Sequence, residues 1–436
     1  EIPVKWFYDE KTLPLFCKET KRLLQSHSNR LPQLASEQNR KSYPLSPAMR
    51  ELWFVNMLDE SGITRNIQIE FVINGHPNRE KLEKALRSMI ETEPLFRSTF
   101  PLVFDEPKQE INNDGVLFFE EVDLSHLASV DLDDALKHVS LENGRFRFDL
   151  SRLPLLKFLL VKIDDQDYRL LMTIHHLIFD GWSLEVFMRR FTSFYIGLTP
   201  TIPDSHAGDY AAWLRKVENK AVGASEAAFW RKNLAGIPET LTLPWKEAQR
   251  PNEIKGDGDR YWWSLPRSLS RDIDRVANLL HTTPFSVMTA AFQLILSAHS
   301  GQRDIVVGTP YANRNHPGIK EVIGLFTNIV ALRLIIEDND TFEEVVNKVR
   351  RSSSEAFSNT GLIFSDVVRE VNQRKIKGVN PIFQSSIVMQ NWPGSAIDTG
   401  DFTMWQREIG NATSKLDLML NIEKRDGEYV CWFEYN

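Results

Sequence analysis

The spacing of apolar residues predicts strands and helices in alternation along the chain. Apolar residues occupy every second position of the segment NIQIEFVI, which predicts a strand with one buried face: Ile67, Ile69, Phe71 and Ile73. In the following segment, NREKLEKALRSMI, they recur every three or four positions, as on one face of a helix: Leu82, Ala85, Leu86 and Met89. A strand followed by an amphipathic helix is therefore expected here.

Two apolar runs further along the first half, LLKFLLVKI and YRLLMTIHH, have the length of strands. The segment SLEVFMRRFTSFY is predicted to be a helix with Ser183 as its N-cap. The second half repeats this style with strands RYWWSL, DIVVGTP, TNIVALRLII, QSSIVMQ, LDLMLNI and EYVCWFEY, and with helices LSRDIDRVANLL, PFSVMTAAFQLILSAH and TFEEVVNKVRRSSSEAF. The pattern predicts a mixed α/β fold in two lobes, with a hinge near residues 196–230.

The N-terminal segment differs from this body. Residues 1–26 end in a predicted amphipathic helix, and the polar residues 27–41 lack periodicity and are predicted to form a linker. The compact part is then divided into an N-terminal lobe, 42–200, and a C-terminal lobe, 201–436. Because the chain starts at Glu1 rather than Met and shows no signal-peptide pattern, we expect a piece of a longer chain.

Composition and charge argue against several classes of protein. With 436 residues, 42% of them apolar, the chain can bury two cores of ordinary size. Its formal charge of −7 is spread without a basic stripe, which argues against a nucleic-acid partner. Two cysteines, Cys17 and Cys431, cannot build a disulfide framework, so a reducing, cytoplasmic location is expected. No apolar run approaches the roughly 20 residues that span a bilayer, so no membrane partner is expected.

The stretch LLMTIHHLIFDGWSLEVF places two histidines and an aspartate around a predicted strand end. Successive strand residues point to opposite faces, so His175 and His176 are not expected to converge on a metal ion. Gly181 allows a close approach of the backbone to a ligand, and amides at the start of the next helix favour negative charge. From the pattern alone, a catalytic histidine and a pair of core histidines are both open interpretations.

The residues HHLIFDG resemble the HHxxxDG signature of the condensation domains of nonribosomal peptide synthetases, relatives of chloramphenicol acetyltransferase. Other segments resemble further family motifs in the same order over residues 42–436: SPAMRELWF, EPLFRSTF, DYAAW, GTPYANRN, IGLFTNIVALR, NPIFQSSIVMQN and SKLDLML. Four residues of the first lobe depart from the family's usual Gln, Arg and Arg-His pair: Met49, Glu51, Thr92 and Glu93. Altered packing and a specialised donor are the two interpretations of these departures. None of the four residues lies in the histidine motif.

The resemblance implies both a fold and a reaction. The fold is two chloramphenicol-acetyltransferase-like lobes in a V shape with a tunnel between them. In the reaction, an upstream carrier domain presents an acyl or peptidyl thioester on phosphopantetheine, and the amine of an aminoacyl thioester on a downstream carrier attacks it. The domain itself is expected to bind no cofactor or metal, to lie next to an adenylation domain, and to be monomeric when excised.

The resemblance also assigns roles to the residues of the histidine motif. His176 is expected to project into the tunnel as the general base or as the group that orients the amine. Gly181 leaves room for the thioester, and its amide is expected to stabilise the oxyanion, whereas His175 is expected to be structural. Asp180 should face away from the tunnel and pair with an arginine. The candidate partners are Arg314 first and Arg97 second.

Five more residues are candidates for lining the tunnel or touching substrate: Trp182, Ser183, Asn328, Gln390 and Asn391. For Trp182 and Ser183, packing and capping are the favoured interpretation. The N-terminal segment IPVKWFYDEKTLPLF resembles the last helix of a carrier domain, which places a carrier upstream, of peptide synthetase or polyketide synthase origin.

Related reactions are separated by their motifs. A heterocyclisation domain carries DxxxxD, and an epimerisation domain usually continues as DGVSWR, whereas this chain reads HHLIFDGWSLEV. Two alternatives to amide formation between carriers stay open. One is an acyltransferase that forms an ester or uses a free acceptor, and the other is a catalytically silent domain that docks carriers.

Overall fold

The computed structural model describes residues 34–36, 40–59, 61–217, 220–244, 258–372, 376, 378–390, 396–410 and 412–436. The strands are β1 (Ser42–Pro44), β2 (Asn66–Gly75), β3 (Ser98–Thr99), β4 (Leu102–Val103), β5 (Glu106–Ile111), β6 (Phe119–Asp123), β7 (Leu156–Lys162), β8 (Asp167–His175), β9 (Asp259–Ser264), β10 (Asp304–Tyr311), β11 (Asn328–Ile335), β12 (Ser385–Gln390), β13 (Ile397–Asp398), β14 (Phe402–Glu408), β15 (Leu418–Arg425) and β16 (Glu428–Tyr435). The helices are α1 (Pro47–Leu58), α2 (Arg79–Thr92), α3 (Ser129–Gly144), α4 (Gly181–Tyr195), α5 (Ala207–Val217), α6 (Lys220–Asn233), α7 (Arg267–Leu279), α8 (Pro284–Ser300), α9 (Phe342–Phe357) and α10 (Phe364–Val371). The predicted mixed α/β fold is confirmed.

The first large sheet has the strand order β13-β14-β2-β8-β7-β6. On one face the apolar residues of β2 share a core with those of α2 and α4, as their spacing predicts, and Phe71 stacks on Phe187 of α4. The other face of β2 is covered by α3, because Asn66 Nδ2 donates to Gly144 O and Gln68 Nε2 donates to Ser140 O. The expectation of a single buried face was therefore wrong: hydrogen-bonded polar side chains let both faces be buried.

The second large sheet has the order β11-β10-β12-β15-β16-β9 and carries its own core under α8 and α10. Helix α8 is well delimited, since the Thr283 side chain accepts from Ser286 N–H and Gly301 ends the helix with a φ of 71°. Cys431 lies buried in this core. The predicted strands and helices of the second half are present, and the sheet mixes parallel and antiparallel pairs.

A crossing segment joins the two halves. Strands β13 and β14 leave the second half, and β14 pairs antiparallel with β2, extending the first sheet. Two contacts hold the crossing segment: Lys81 Nζ lies 2.8 Å from an Asp401 oxygen, and Tyr195 donates to the same carboxylate at 3.0 Å. The predicted lobe 201–436 thus supplies two strands to the sheet of 42–200.

The domain boundaries and the carrier-derived helix stay predictions, because residues 1–33 lie outside the described part of the chain. Within that part, no single helix has the length and apolar composition of a membrane span. Helices α7 and α8 reach the length and apolar composition of a membrane span only when they are counted together, across a bend of 107°.

Candidate active site

The histidine motif lies where β8 ends and α4 begins. Strand β8 ends at His175, one residue earlier than the strand predicted from the sequence. His176 begins a single 3-10 turn. The His176 N–H donates to Arg65 O at 2.8 Å, which fixes the turn against the start of β2. Helix α4 begins at Gly181, and its N-cap is Asp180 rather than the predicted Ser183, because the carboxylate accepts from the Ser183 N–H.

Both ring nitrogens of His175 are engaged. Nε2 lies 3.0 Å from Asn56 Oδ1, and Nδ1 accepts from the Leu177 N–H at 3.1 Å. An amide N–H can only donate, so the proton of the neutral ring sits on Nε2. The side chain is 1% exposed, and burial lowers its pKa to about 3, assisted by the neighbouring His176 and Arg65. This ring has no lone pair left for a metal or a substrate.

His176 has the opposite arrangement. Its Nδ1 lies 2.8 Å from Phe179 O, and a carbonyl oxygen can only accept, so Nδ1 carries the proton. Burial and the charge of Lys415 together lower the pKa of His176 to about 4. Its side chain nevertheless keeps partial exposure, unlike that of His175. Near neutral pH, Nε2 therefore presents a lone pair that makes no hydrogen bond to any described residue.

Asp180 is fully buried and faces a set of donors that nearly saturates its carboxylate. Oδ1 accepts from Ser183 N at 2.9 Å, Ser183 Oγ at 2.7 Å and Arg314 Nη2 at 2.9 Å, and Oδ2 accepts from Phe326 N at 3.0 Å and Thr327 Oγ1 at 3.4 Å. Several of these donors come from the second half of the chain. The carboxylate therefore holds the start of α4 against the segment around residue 326.

Arg314 is the arginine that pairs with Asp180. Burial lowers its pKa below the usual range, while the charge of Asp180 acts in the opposite direction. Its guanidinium also donates to Ile319 O at 2.7 Å and lies 4.2 Å from the ring centre of Phe326. Arg97, the second candidate, does not contact Asp180, because its Nη1 donates to the carbonyls of residues 112 and 113 at 2.7 and 3.1 Å.

The residues that open α4 divide into exposed and buried positions. A Cβ added at Gly181 would find no heavy atom within 4 Å, so open space adjoins this residue. Trp182 is 41% exposed, and its Nε1 donates to Lys320 O at 2.8 Å across the two halves. Ser183 is fully buried and its hydroxyl hydrogen-bonds with Asp180 and Gly324, which fits the favoured packing interpretation.

The remaining predicted lining residues have different outcomes. Asn328 is only 5% exposed, because its amide donates to Leu362 O at 2.8 Å and accepts from Phe364 N–H at 3.1 Å. It fastens the connection before α10 rather than lining a channel. Gln390 is half-buried at the end of β12. Asn391 lies outside the described residues.

Two departures from the family motifs lie at buried positions of the first lobe. Glu93, at the position of the usual histidine, forms a buried ion pair with Arg190 at 3.1 Å. Burial raises the pKa of Glu93 to about 6, and Arg190 opposes this shift. Met49, at the position of the usual glutamine, is 1% exposed in the first core. Burial at these two positions favours altered packing of the first lobe over a specialised donor.

The two neutral histidines predict a pH dependence of stability. Their pKa values in the folded state, about 3 and about 4, lie below the unfolded value of about 6.5. Their stabilising contribution is therefore complete above pH 6.5 and is lost as the pH falls toward the folded-state values. At pH 5 we expect each histidine to have cost about 2 kcal/mol relative to pH 7.

Urea denaturation at pH 7 and pH 5 tests this expectation. His175→Gln removes one titrating group, so the difference in unfolding free energy between the two pH values should shrink by about 2 kcal/mol. His126→Asn, at an exposed position, is the matched control. An unchanged difference in His175→Gln would show that His175 is not held neutral by its surroundings.

Comparison with known proteins now places the chain. The sequence model of the family described as "Condensation domain" matches residues 39–436. The chain belongs to the condensation domain family. The family expected from the histidine motif and its accompanying segments is thereby confirmed, and the match covers both halves of this condensation domain.

Relatives and solved structures agree with this assignment. Phosphinothricin tripeptide synthetase PhsC of Streptomyces viridochromogenes is 31% identical over 404 residues, which cover 90% of this chain and 37% of the synthetase. This condensation domain thus spans little more than a third of that relative. Its fold is shared with holo-AB3403, a four-domain nonribosomal peptide synthetase (TM-score 0.82, 20% identity, 94% of this chain and 32% of that one). It is also shared with the starter condensation domain of rhizomide synthetase RzmA (TM-score 0.79, 20% identity, 91% and 89%).

The described residues contain no group of three or more histidine, cysteine, aspartate or glutamate side chains that could hold a metal ion. Sequence reasoning missed Asn56, the partner of His175, and Phe179, whose carbonyl sets the tautomer of His176. The contact of Asn56 with His175 could not be predicted from the sequence, because an asparagine on an amphipathic helix usually faces solvent. The carbonyl of Phe179 could not be foreseen, because its direction depends on the 3-10 turn.

Proposed function

We propose that this condensation domain forms an amide bond between two carrier-bound substrates. An amine on the acceptor attacks the carbonyl carbon of the donor thioester, the new C–N bond forms, the C–S bond breaks, and the donor thiol leaves. The observation that carries the proposal is the unengaged Nε2 of His176 on a neutral, partly exposed ring.

His176 supplies the proton acceptor for this step. An α-ammonium has an unperturbed pKa of about 8, so part of the acceptor is already neutral near pH 7. Nε2 accepts the remaining N–H proton as the C–N bond forms, and the proton then passes to the leaving thiolate. The hydrogen bond from Nδ1 to Phe179 O orients the ring, stabilises positive charge on it, and keeps Nε2 as the free nitrogen.

Gly181 and Asp180 support the reaction in different ways. The amide of Gly181 stands at the N-terminus of α4, where developing negative charge is favoured, and open space adjoins it. We assign it to the oxyanion of the tetrahedral intermediate. Asp180 and Arg314 are positioning residues, since their buried ion pair joins the turn carrying His176 to the second half of the chain.

Family membership supports a set of partners for this domain. An upstream carrier delivers the donor and a downstream carrier the acceptor, each on a phosphopantetheine arm, through a tunnel between the two lobes, and an adenylation domain lies next to this one. Support comes from the names of the matched proteins, which include a tripeptide synthetase and a four-domain nonribosomal peptide synthetase. The domain binds no cofactor of its own.

Reconstitution with loaded carriers tests the proposed reaction. Chemically acylated upstream carrier and aminoacylated downstream carrier are mixed with the domain, and the downstream carrier is analysed by mass spectrometry. We expect a mass gain on the downstream arm equal to the donor acyl group. A product formed only with free amines or alcohols would favour a soluble acceptor or an ester. Carrier binding without any product would favour a silent docking domain.

A further inference from the structure

Arg65 carries a half-buried guanidinium that has no counterion among the described residues. Its Nε is buried and unpartnered, and its side chain makes no hydrogen bond or ion pair with any residue that the structure describes. Burial lowers the pKa of Arg65 below its usual range, and the carboxylates of Asp59 and Glu51 oppose this only from a distance. A partly desolvated cation without a partner contributes little to stability, so stability alone gives no reason for an arginine at this position.

The two arginines of the described chain that are buried as whole residues have carboxylate partners. Arg314 pairs with Asp180 at 2.9 Å, and Arg190 pairs with Glu93 at 3.1 Å. In each pair both side chains are almost fully buried, and the charges compensate each other. Arg65 lacks the partner that the structure provides at these positions, which indicates that its partner is supplied from outside the domain.

The position of Arg65 points to the reacting groups. Asn66 pairs with His175 across β2 and β8, so the preceding residue, Arg65, lies opposite His176. Its carbonyl accepts the His176 N–H at 2.8 Å. The charge of Arg65 also acts on the His175 ring, and Lys415 of the second half acts on both rings. The guanidinium thus acts on the His175 ring from the start of β2, where the Arg65 backbone contacts that of His176.

We propose that Arg65 binds a carboxylate carried by one of the two substrates, and thereby selects an acidic acyl donor or an acidic aminoacyl acceptor. This inference rests on the proposed function. A guanidinium offers two parallel N–H donors to a carboxylate, and such a pair is strong where water is excluded. No bond is made or broken at Arg65, which acts as a specificity-determining residue for the same reaction.

Two pairs of isosteric substrates test the inference in the reconstituted reaction. In the acceptor arm, the downstream carrier bears aspartyl or asparaginyl thioester and the donor is neutral. In the donor arm, the upstream carrier bears a succinyl or a succinamoyl group and the acceptor is neutral. We expect the acidic member of one arm to react about tenfold faster or more, and that arm identifies which substrate carries the carboxylate.

Variants of Arg65 separate recognition from catalysis. Arg65→Met should abolish the preference for the acid while the neutral pair reacts at the wild-type rate, and Arg65→Lys should retain part of the preference. Arg50→Met, at an exposed position of α1, is the matched control and should keep it. A wild-type preference that survives in Arg65→Met, or a wild-type domain without preference in both arms, would overturn the assignment.

A binding measurement keeps this inference distinct from the proposed reaction. Non-reactive amide analogues of the phosphopantetheine arm, ending in aspartyl, asparaginyl, succinyl or succinamoyl groups, are titrated calorimetrically into the wild type and Arg65→Met. Tighter binding of one acidic analogue that is lost in the variant supports the carboxylate site even if no pair of carriers yields an amide. Equal binding by both proteins contradicts it even if amides form.

Discussion

Replacing His176 with alanine is expected to lower the rate of amide formation about 100-fold or more while the domain stays folded. The variant removes the only Nε2 that stands unengaged in the motif, so the attacking amine loses its proton acceptor. The core should be little affected, because the ring keeps partial exposure and its single hydrogen bond goes to a backbone carbonyl. The measurement is the single-turnover rate with both carriers loaded, monitored by mass spectrometry.

His176→Asn and a carrier-binding assay serve as controls for this prediction. The asparagine amide can still hydrogen-bond but cannot accept a proton as imidazole does, so its rate separates orientation of the amine from proton transfer. If the asparagine variant recovers most of the rate, orientation dominates. Condensation by His176→Ala at the wild-type rate, with unchanged carrier affinity, would refute any role of the ring.

Asp180→Asn is expected to destabilise the fold by about 3–5 kcal/mol. The amide has one acceptor oxygen in place of two, and its NH₂ group would face donors. Arg314 would also become a buried charge without a carboxylate, although Ile319 O would still accept from it. Because the ion pair links the two halves at the motif, amide formation should fall together with the unfolding free energy. Urea denaturation followed by tryptophan fluorescence measures the loss.

A double-mutant cycle shows whether the loss comes from the pair. Adding Arg314→Met to Asp180→Asn removes the stranded charge, so the double variant should be less destabilised than the sum of the single changes. Asp272→Asn breaks the exposed pair with Arg275 and is the matched control, with little expected change. Additive losses in the cycle would mean that Asp180 acts through its backbone donors rather than through Arg314.

The order and type of the elements could be predicted because apolar periodicity is a local property. The spacing in α2 and α4 was enough to identify their buried faces, since helix geometry alone sets which residues share a side. Strand β14 was not predicted, although Phe402 and Met404 alternate with polar residues. Its partner, β2, lies more than 300 positions away in sequence, and no local pattern encodes that pairing.

The candidate site shows the same division. Residues within the histidine motif could be named because the family signature is contiguous, and the resemblance implied an arginine partner for Asp180, with Arg314 as the first candidate. The roles of the two rings could not be derived from residue types. They depend on which atoms surround each nitrogen, and these come from α1 for His175 and from the 3-10 turn for His176. The polar side chains of Ser183 and Asn328 bond to backbone groups, which fits the packing interpretation that was favoured for Ser183.

The crossing segment, β13 and β14, has a consequence for engineered hybrids of such synthetases. In a chimaera joined near residue 200, β13 and β14 would come from one parent and β2 from the other. Asp401 of the first parent would then need Lys81 and Tyr195, or equivalent residues, in the second. The hybrid must therefore preserve the pairing of β14 with β2, which lies far in sequence from the junction. Whether two parent domains can be combined therefore depends on this strand pairing as much as on the residues at the junction.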